Sequence, residues 1–169
     1  MTHTPEREPI AEPIWLTAEE QRAWRTILYS VSSLLQGLSD VLESDPSIDL
    51  SMSEYEILVR LSEAEGGRVR MSDLADQIVH SRSRLTHTVA RLEKRGLIER
   101  VRAACDGRGR EAALTEAGMD LLRRAAPGHV QSVRDLVLDR VGTADFLELG
   151  RILGRTVDPD APGLAPPAR

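Results

Sequence analysis

The chain has 169 residues, 41% hydrophobic and 29% charged, the length and composition of one compact domain of a soluble protein. Its single Cys excludes a disulfide scaffold and a Cys-based zinc centre. The net charge of −5 is unevenly spread: residues 68–110 carry eleven Arg/Lys against five Asp/Glu, so a balance of +6 sits there and −11 elsewhere. A basic centre inside an acidic chain points to an anionic polymer as partner. The basic residues are almost all Arg, Lys94 being the only Lys.

Residues 1–16 contain Pro5, Pro9 and Pro13 and read as an extended N-terminal arm. The arm lacks a basic start followed by an apolar stretch, so no signal peptide is expected. No apolar run approaches the roughly 18–20 residues of a membrane span, and a cytoplasmic protein is expected. Thr17 and Glu20 form a capping box that opens a long first helix. Its apolar residues, from Trp24, Ile27, Leu28 and Val31 to Val41 and Leu42, keep helical spacing up to Asp45-Pro46. That stripe is wider than one small core consumes, which points to a partner chain.

A second helix starts at Ser51 or Ser53, with Ser51-x-x-Glu54 as another capping box, and stops at Gly66-Gly67. Arg68 to Arg70 has room for a short strand only. Ser72 is expected to cap a third helix, Asp73 to about Val79. Ser81 is expected to cap a fourth, Arg82 to Arg95, with Gly96 as its left-handed stop. Two helices joined by so short a turn make a helix-turn-helix. Leu97, Ile98 and Val101 then suggest a strand, Asp106-Gly107-Arg108-Gly109 a turn, and Glu111 to Leu114 the return strand, which is a wing. Thr115 is expected to cap the next helix, Pro127-Gly128 to break or kink it, and Gly142 to end the segment after that. Thr143 is expected to cap the last helix. Residues 157–169, rich in Pro, read as a disordered tail. The expected fold is mainly α with a small β-hairpin wing.

On a helical wheel of about 100° per residue, Leu85, Thr88, Val89 and Leu92 of the fourth helix share one face. Ser83, His87, Ala90, Arg91 and Lys94 lie opposite, flanked by Arg84 and Thr86. A helix that reads a major groove needs small or hydrogen-bonding residues toward its N-terminus and cations that meet phosphates. Arg82 and Arg84 are placed to reach guanine edges or phosphates, while Ser81, Ser83, Thr86 and His87 can bond bases or phosphate oxygens. The wing adds Arg100, Arg102, Arg108 and Arg110. Arg108 at the glycine-flanked tip suits a narrow minor groove, and Asp106 reads as the side chain that holds an arginine in place.

The segments S-D-L-A (72–75), S-R-S-R-L-T-H-T-V-A-R-L-E-K-R-G-L-I-E-R (81–100), D-x-R-G (106–109) and L-T-E-A-G (114–118) resemble the MarR family of winged helix-turn-helix regulators. With the flanking helices, the likeness covers about residues 17–156. It implies one domain, with a winged helix-turn-helix at about 51–114 and dimerisation helices at about 17–43 and 116–156. It further implies a homodimer on double-stranded DNA at a pseudo-palindromic operator, in the manner of a repressor relieved by a small-molecule effector. The wing departs from the family pattern: Ala103-Ala104-Cys105 precede a single Asp106, where many family wings carry a longer D-x-x-D-x-R-G stretch. No Cys lies in the first helix, which excludes the family's peroxide-sensing chemistry.

Other residues carry weaker signals. Cys105, flanked by Arg102 and Arg108, is a candidate redox-sensitive thiol, the alternative being a small loop residue. His129 is a candidate contact for an anionic ligand or a packing histidine. Trp24 and Tyr29 are candidates to line a ligand pocket, core packing being the other reading for Trp24. His80 and His87 lack a third ligand at metal spacing. No residues assemble an acid, a base and a nucleophile, so no enzyme, cofactor or metal is expected. The other function class compatible with this scaffold is a protein-binding winged helix.

Overall fold

The structure, a computed structural model, describes residues 13–77, 82–102 and 109–157. The elements in chain order are α1 (Ala18–Ser44), α2 (Met52–Glu63), β1 (Arg68–Arg70), α3 (Met71–Gln77), α4 (Arg82–Lys94), β2 (Ile98–Arg102), β3 (Arg110–Leu114) and α5 (Glu116–Val133). A π-helical turn (Arg134–Leu138), the single turn α6 (Asp139–Val141) and α7 (Thr143–Leu153) follow. The fold is mainly α with a small antiparallel sheet, as the sequence predicts. Two compact units divide the chain, residues 1–33 and residues 34–169.

The first unit contains the opening turns of α1. The Thr17 N–H donates to Glu20 Oε2 at 2.7 Å and the Glu20 N–H donates to Thr17 Oγ1 at 3.2 Å, the expected capping box. These bonds favour the charged carboxylate and hold the Glu20 pKa below its ordinary value. Trp24, Ile27, Leu28 and Val31 are each between two-fifths and just over half exposed, so the apolar stripe of this unit is not a core in the single chain.

In the second unit a single core gathers Leu42, Leu50, Ile57, Leu58, Leu61, Leu74, Leu85, Val89, Leu92, Ile98, Leu121 and Leu122. Ser51 caps α2, with both reciprocal bonds to Glu54 present. Gly66 and Gly67, at φ +66° and +67°, turn the chain from the end of α2 into β1, a left-handed geometry that a Cβ penalises. The sheet runs β1-β3-β2. Its central strand β3 pairs with β1 from Arg68↔Ala113 to Arg70↔Glu111, and with β2 from Ile98↔Leu114 to Arg102↔Arg110. The isolated 68–70 segment therefore joins the hairpin as a third strand.

Three expected boundaries are corrected. The third helix starts at Met71, so Ser72 lies inside it, where its hydroxyl donates to Asp73 Oδ1 instead of capping. Pro127 does not break α5, which runs on to Val133. Proline removes one backbone donor from the helix, and both Pro127 and Arg123, four residues before it, are exposed. Thr143 is the first residue of α7 rather than its cap; Gly142, at φ +83°, takes the cap position.

Candidate nucleic-acid interface

The periodicity of α4 determines which side chains are available. Leu85, Thr88, Val89 and Leu92 are all buried, and the Thr88 hydroxyl donates to the Arg84 carbonyl at 3.0 Å, which satisfies its polar group locally. The opposite side presents Arg84, Thr86, His87, Ala90, Arg91 and Lys94, all exposed. Arg82 and Ser83 belong to the first turn of α4, though their side chains fall outside the described structure, as do Ser81, His80 and the wing-tip residues Cys105, Asp106 and Arg108.

The outer face of α4 is not uniform. Arg84, Thr86, His87 and Lys94 point away from the core, whereas the Arg91 guanidinium turns back onto α2. Its Nε donates to Glu54 Oε1 at 2.7 Å and its Nη2 to Ser51 Oγ at 3.1 Å. Arg95, one turn on, lies with Nη1 3.7 Å from the same Glu54 oxygen and donates to the Asp49 and Ile48 carbonyls at 2.7 and 3.2 Å. Glu54 is only 2% exposed. Sequence reasoning found Glu54 as a cap residue and missed its second role. The available signal was the Arg91/Arg95 pair at i, i+4 spacing, which places two cations on one helix edge.

On the hairpin, Arg102 and Arg110 are exposed and directly paired across the β2–β3 register. Like charges placed opposite one another destabilise an antiparallel pair, and an anion between or above them removes that cost. Arg100 is different: it is half-buried, with Nε 3.4 Å from Glu93 Oε2 of α4. It braces β2 against α4 rather than standing out from the hairpin.

The candidate ligand residues belong to different units. Trp24 and Tyr29 belong to the first unit and are 51% and 76% exposed. His129, on α5, lies in the second unit with its ring centroid 4.4 Å from that of Tyr55 on α2. Both rings line a cavity of about 260 Å³ with Val59, Glu56, Arg60 and Glu63. Burial lowers the His129 pKa and raises that of Tyr55, whose phenolate is further disfavoured by Glu63. His129 Nδ1 is buried with no hydrogen-bond partner among the described residues. A neutral imidazole lends itself to hydrogen bonding and stacking; it has no charge with which to hold an anion.

This gives a stability prediction with a definite sign. The unfolded chain protonates His129 near pH 6.5, while the folded chain does so only at lower pH. As pH falls below about 6.5 the unfolded state therefore takes up the proton first and stability declines, until the folded pKa is passed and the decline stops. His129→Phe retains the ring against Tyr55 and removes the titration. Urea midpoints between pH 5 and 8 should then fall less steeply on the acid side than in the native chain; parallel curves would show that His129 does not contribute.

A buried-face helix with a polar and cationic outer side, next to a three-stranded sheet with paired arginines, defines a winged helix-turn-helix protein. The MarR family profile matches residues 48–109. The chain is 41% identical to Sco3205, a MarR family transcriptional regulator from Streptomyces coelicolor whose structure is a complex with DNA. That likeness covers 93% of this chain and 94% of Sco3205 at a TM-score of 0.80. It is 43% identical to AbsC, another MarR family regulator of the same organism, over 85% of this chain and 95% of AbsC, with a TM-score of 0.79. YfiV, an HTH-type transcriptional regulator of Bacillus subtilis, is 32% identical over 124 residues, 73% of this chain and 74% of YfiV. The chain belongs to the MarR family of transcriptional regulators. These relatives are regulators and not enzymes, in line with the reading of the sequence. No helix among the described residues is long and apolar enough to cross a membrane.

Proposed function

We propose that the protein is a homodimeric, cytoplasmic repressor that reads a pseudo-palindromic operator with α4 and is released from it by a small ligand. The observation that carries this reading is the division of α4 between a fully buried anchor and a solvent face of Arg84, Thr86, His87 and Lys94. In this account Ser81, Arg82, Ser83, Arg84, Thr86 and His87 meet bases and nearby phosphates, and Lys94, Arg102 and Arg110 meet phosphates alone. Arg108 enters the minor groove with Asp106 beside it. Residues of about 51–114 form the DNA-binding part, and the helices of about 17–43 and 116–156 form the dimer. The crystallised complex of Sco3205 with DNA supports the choice of partner. The effector is assigned to the Tyr55–His129 cavity, the ligand contact proposed for His129.

Selection of genomic fragments by the purified chain tests this, followed by titration of the best fragment against scrambled DNA at two salt concentrations. The expected result is a palindromic site preferred by about a thousandfold or more, with affinity falling steeply as salt rises. Arg84→Ala should cost about 1–3 kcal/mol and relax specificity, while Arg108→Ala should weaken all sequences alike. Equal losses on operator and scrambled DNA for Arg84→Ala would remove its base-reading role. No preference for any fragment would leave a protein-binding winged helix as the account.

A further inference from the structure

We infer that Glu54, Arg91 and Arg95 form a clamp that sets the pose of the recognition helix, so that both arginines are positioning residues rather than phosphate contacts. This rests on the reading of α4 as the helix that meets DNA. Arg91, in the last turn of α4, and Arg95, the residue just after that helix, lie one turn apart and converge on the N-terminal end of α2. There a carboxylate buried to 2% exposure receives the Ser51 N–H at 2.9 Å, the Ser51 hydroxyl at 3.0 Å and Arg91 Nε at 2.7 Å, with Arg95 3.7 Å away. A charge so deeply buried is tolerable only when its partners stay in place, so Glu54 holds α4 as firmly as α4 neutralises Glu54.

The anchor is tied to the core and to the loop before it. Leu50, next to the cap, is fully buried. Arg95 donates to the carbonyl of Asp49, a non-glycine residue at φ +42°. The consequence for recognition is leverage. Thirteen residues of helix span roughly 20 Å, so a tilt of about 10° at the clamped end moves the other end by roughly 3 Å. Base contacts are made at that other end, and a displacement of that size breaks a hydrogen bond.

Positioning and phosphate contact have different signatures. Binding of the full-length chain to its selected operator and to scrambled DNA is measured across a salt series for Lys94→Ala, Arg91→Ala, Glu54→Gln and the Arg91→Ala/Glu54→Gln double variant. Lys94→Ala, a phosphate contact, should weaken both DNAs and reduce the salt slope by about 0.9. Arg91→Ala and Glu54→Gln should each cost about tenfold on the operator, the scale of one mismatched base pair, with scrambled DNA and salt slope unchanged. The double variant should be no worse than the poorer single, because both act through one contact. Arg91 is 58% exposed, so its arm reads out even where Glu54→Gln fails to fold. A slope reduced by Arg91→Ala, or additive losses in the double variant, would overturn the clamp and make Arg91 a phosphate contact. Absence of operator preference in the native chain would overturn the DNA reading as well, and so is distinguished from failure of the clamp alone.

Discussion

Replacing Leu149 and Ile152 with glutamate is expected to leave a monomer that binds the operator about a hundredfold to ten-thousandfold more weakly than the native protein. The argument begins with α7. None of its eleven residues is buried, although the helix contains Phe146, Leu147, Leu149, Ile152 and Leu153. Leu149, Ile152 and Leu153 share one side, and Leu147, 65% exposed, occupies the other. Glu148 and Arg151, paired with each other, lie off the Leu149–Ile152–Leu153 side, so the helix is amphipathic. Such a helix turns its apolar side to a core, and among the described residues nothing buries this one. Each such side chain contributes about 1.5–3 kcal/mol when covered. The exposed stripe of α1, with Trp24, Ile27, Leu28 and Val31, has the same character in its own unit. In the proposed dimer a second copy would supply equal surface to both, and a two-fold dimer reads two half-sites at once. Glutamates on the shared face leave charges that dimerisation must bury. Sedimentation gives the mass and titration gives the affinity. A variant that stays dimeric, or a monomer that binds as tightly as the native chain, would refute this account of α7.

Gly118→Ala is expected to destabilise the fold by about 3 kcal/mol, the upper end for overpacking, against a total of about 5–15 kcal/mol for a typical domain. A Cβ at this position would lie 2.1 Å from the Leu97 carbonyl oxygen and 2.7 Å from Leu114 Cδ1. The Leu97 contact is backbone and does not swing aside. That same carbonyl accepts the Thr115 N–H at 3.2 Å and the Thr115 hydroxyl at 2.9 Å, so displacing it detaches the first turn of α5 from the start of the hairpin. Gly96→Ala is the control. Gly96 has open space around it and only a positive φ of +73°, so the backbone penalty of about 1 kcal/mol is expected there. Urea unfolding of the two variants separates steric from conformational cost. A Gly118→Ala midpoint equal to that of Gly96→Ala would mean that the close approach is absent in solution.

Gly118 also shows where sequence reading stops. The L-T-E-A-G segment is recognisable, and Thr115 as a cap follows from local chemistry, since its hydroxyl accepts the N–H of Gly118 three residues on. Why the third residue after the cap must lack a side chain depends on Leu97, twenty-one residues earlier, and no local pattern contains that information. The same contrast runs through the site. The buried face of α4 is legible because helical periodicity is local, and Leu85, Thr88, Val89 and Leu92 lie where the wheel puts them. The fate of Arg91 is not, because its partner Glu54 lies 37 positions away. The wheel puts Arg91 on the exposed face, where it is, but does not show that its guanidinium turns onto α2. At Pro127 the sequence leaves a break or a kink open; the break does not occur, since α5 runs on to Val133.

Glu54 and Tyr55 are consecutive on α2, one gripping α4 and the other walling the cavity. A twelve-residue helix moves as a rod, so the two faces cannot be set independently. Thermodynamic linkage then imposes reciprocity: by whatever factor a molecule in the cavity weakens operator binding, the operator weakens that molecule's binding. Under the proposed regulation, an occupied operator would thus compete with a molecule in this cavity, although the cavity is lined from α2 and α5 and not from α4.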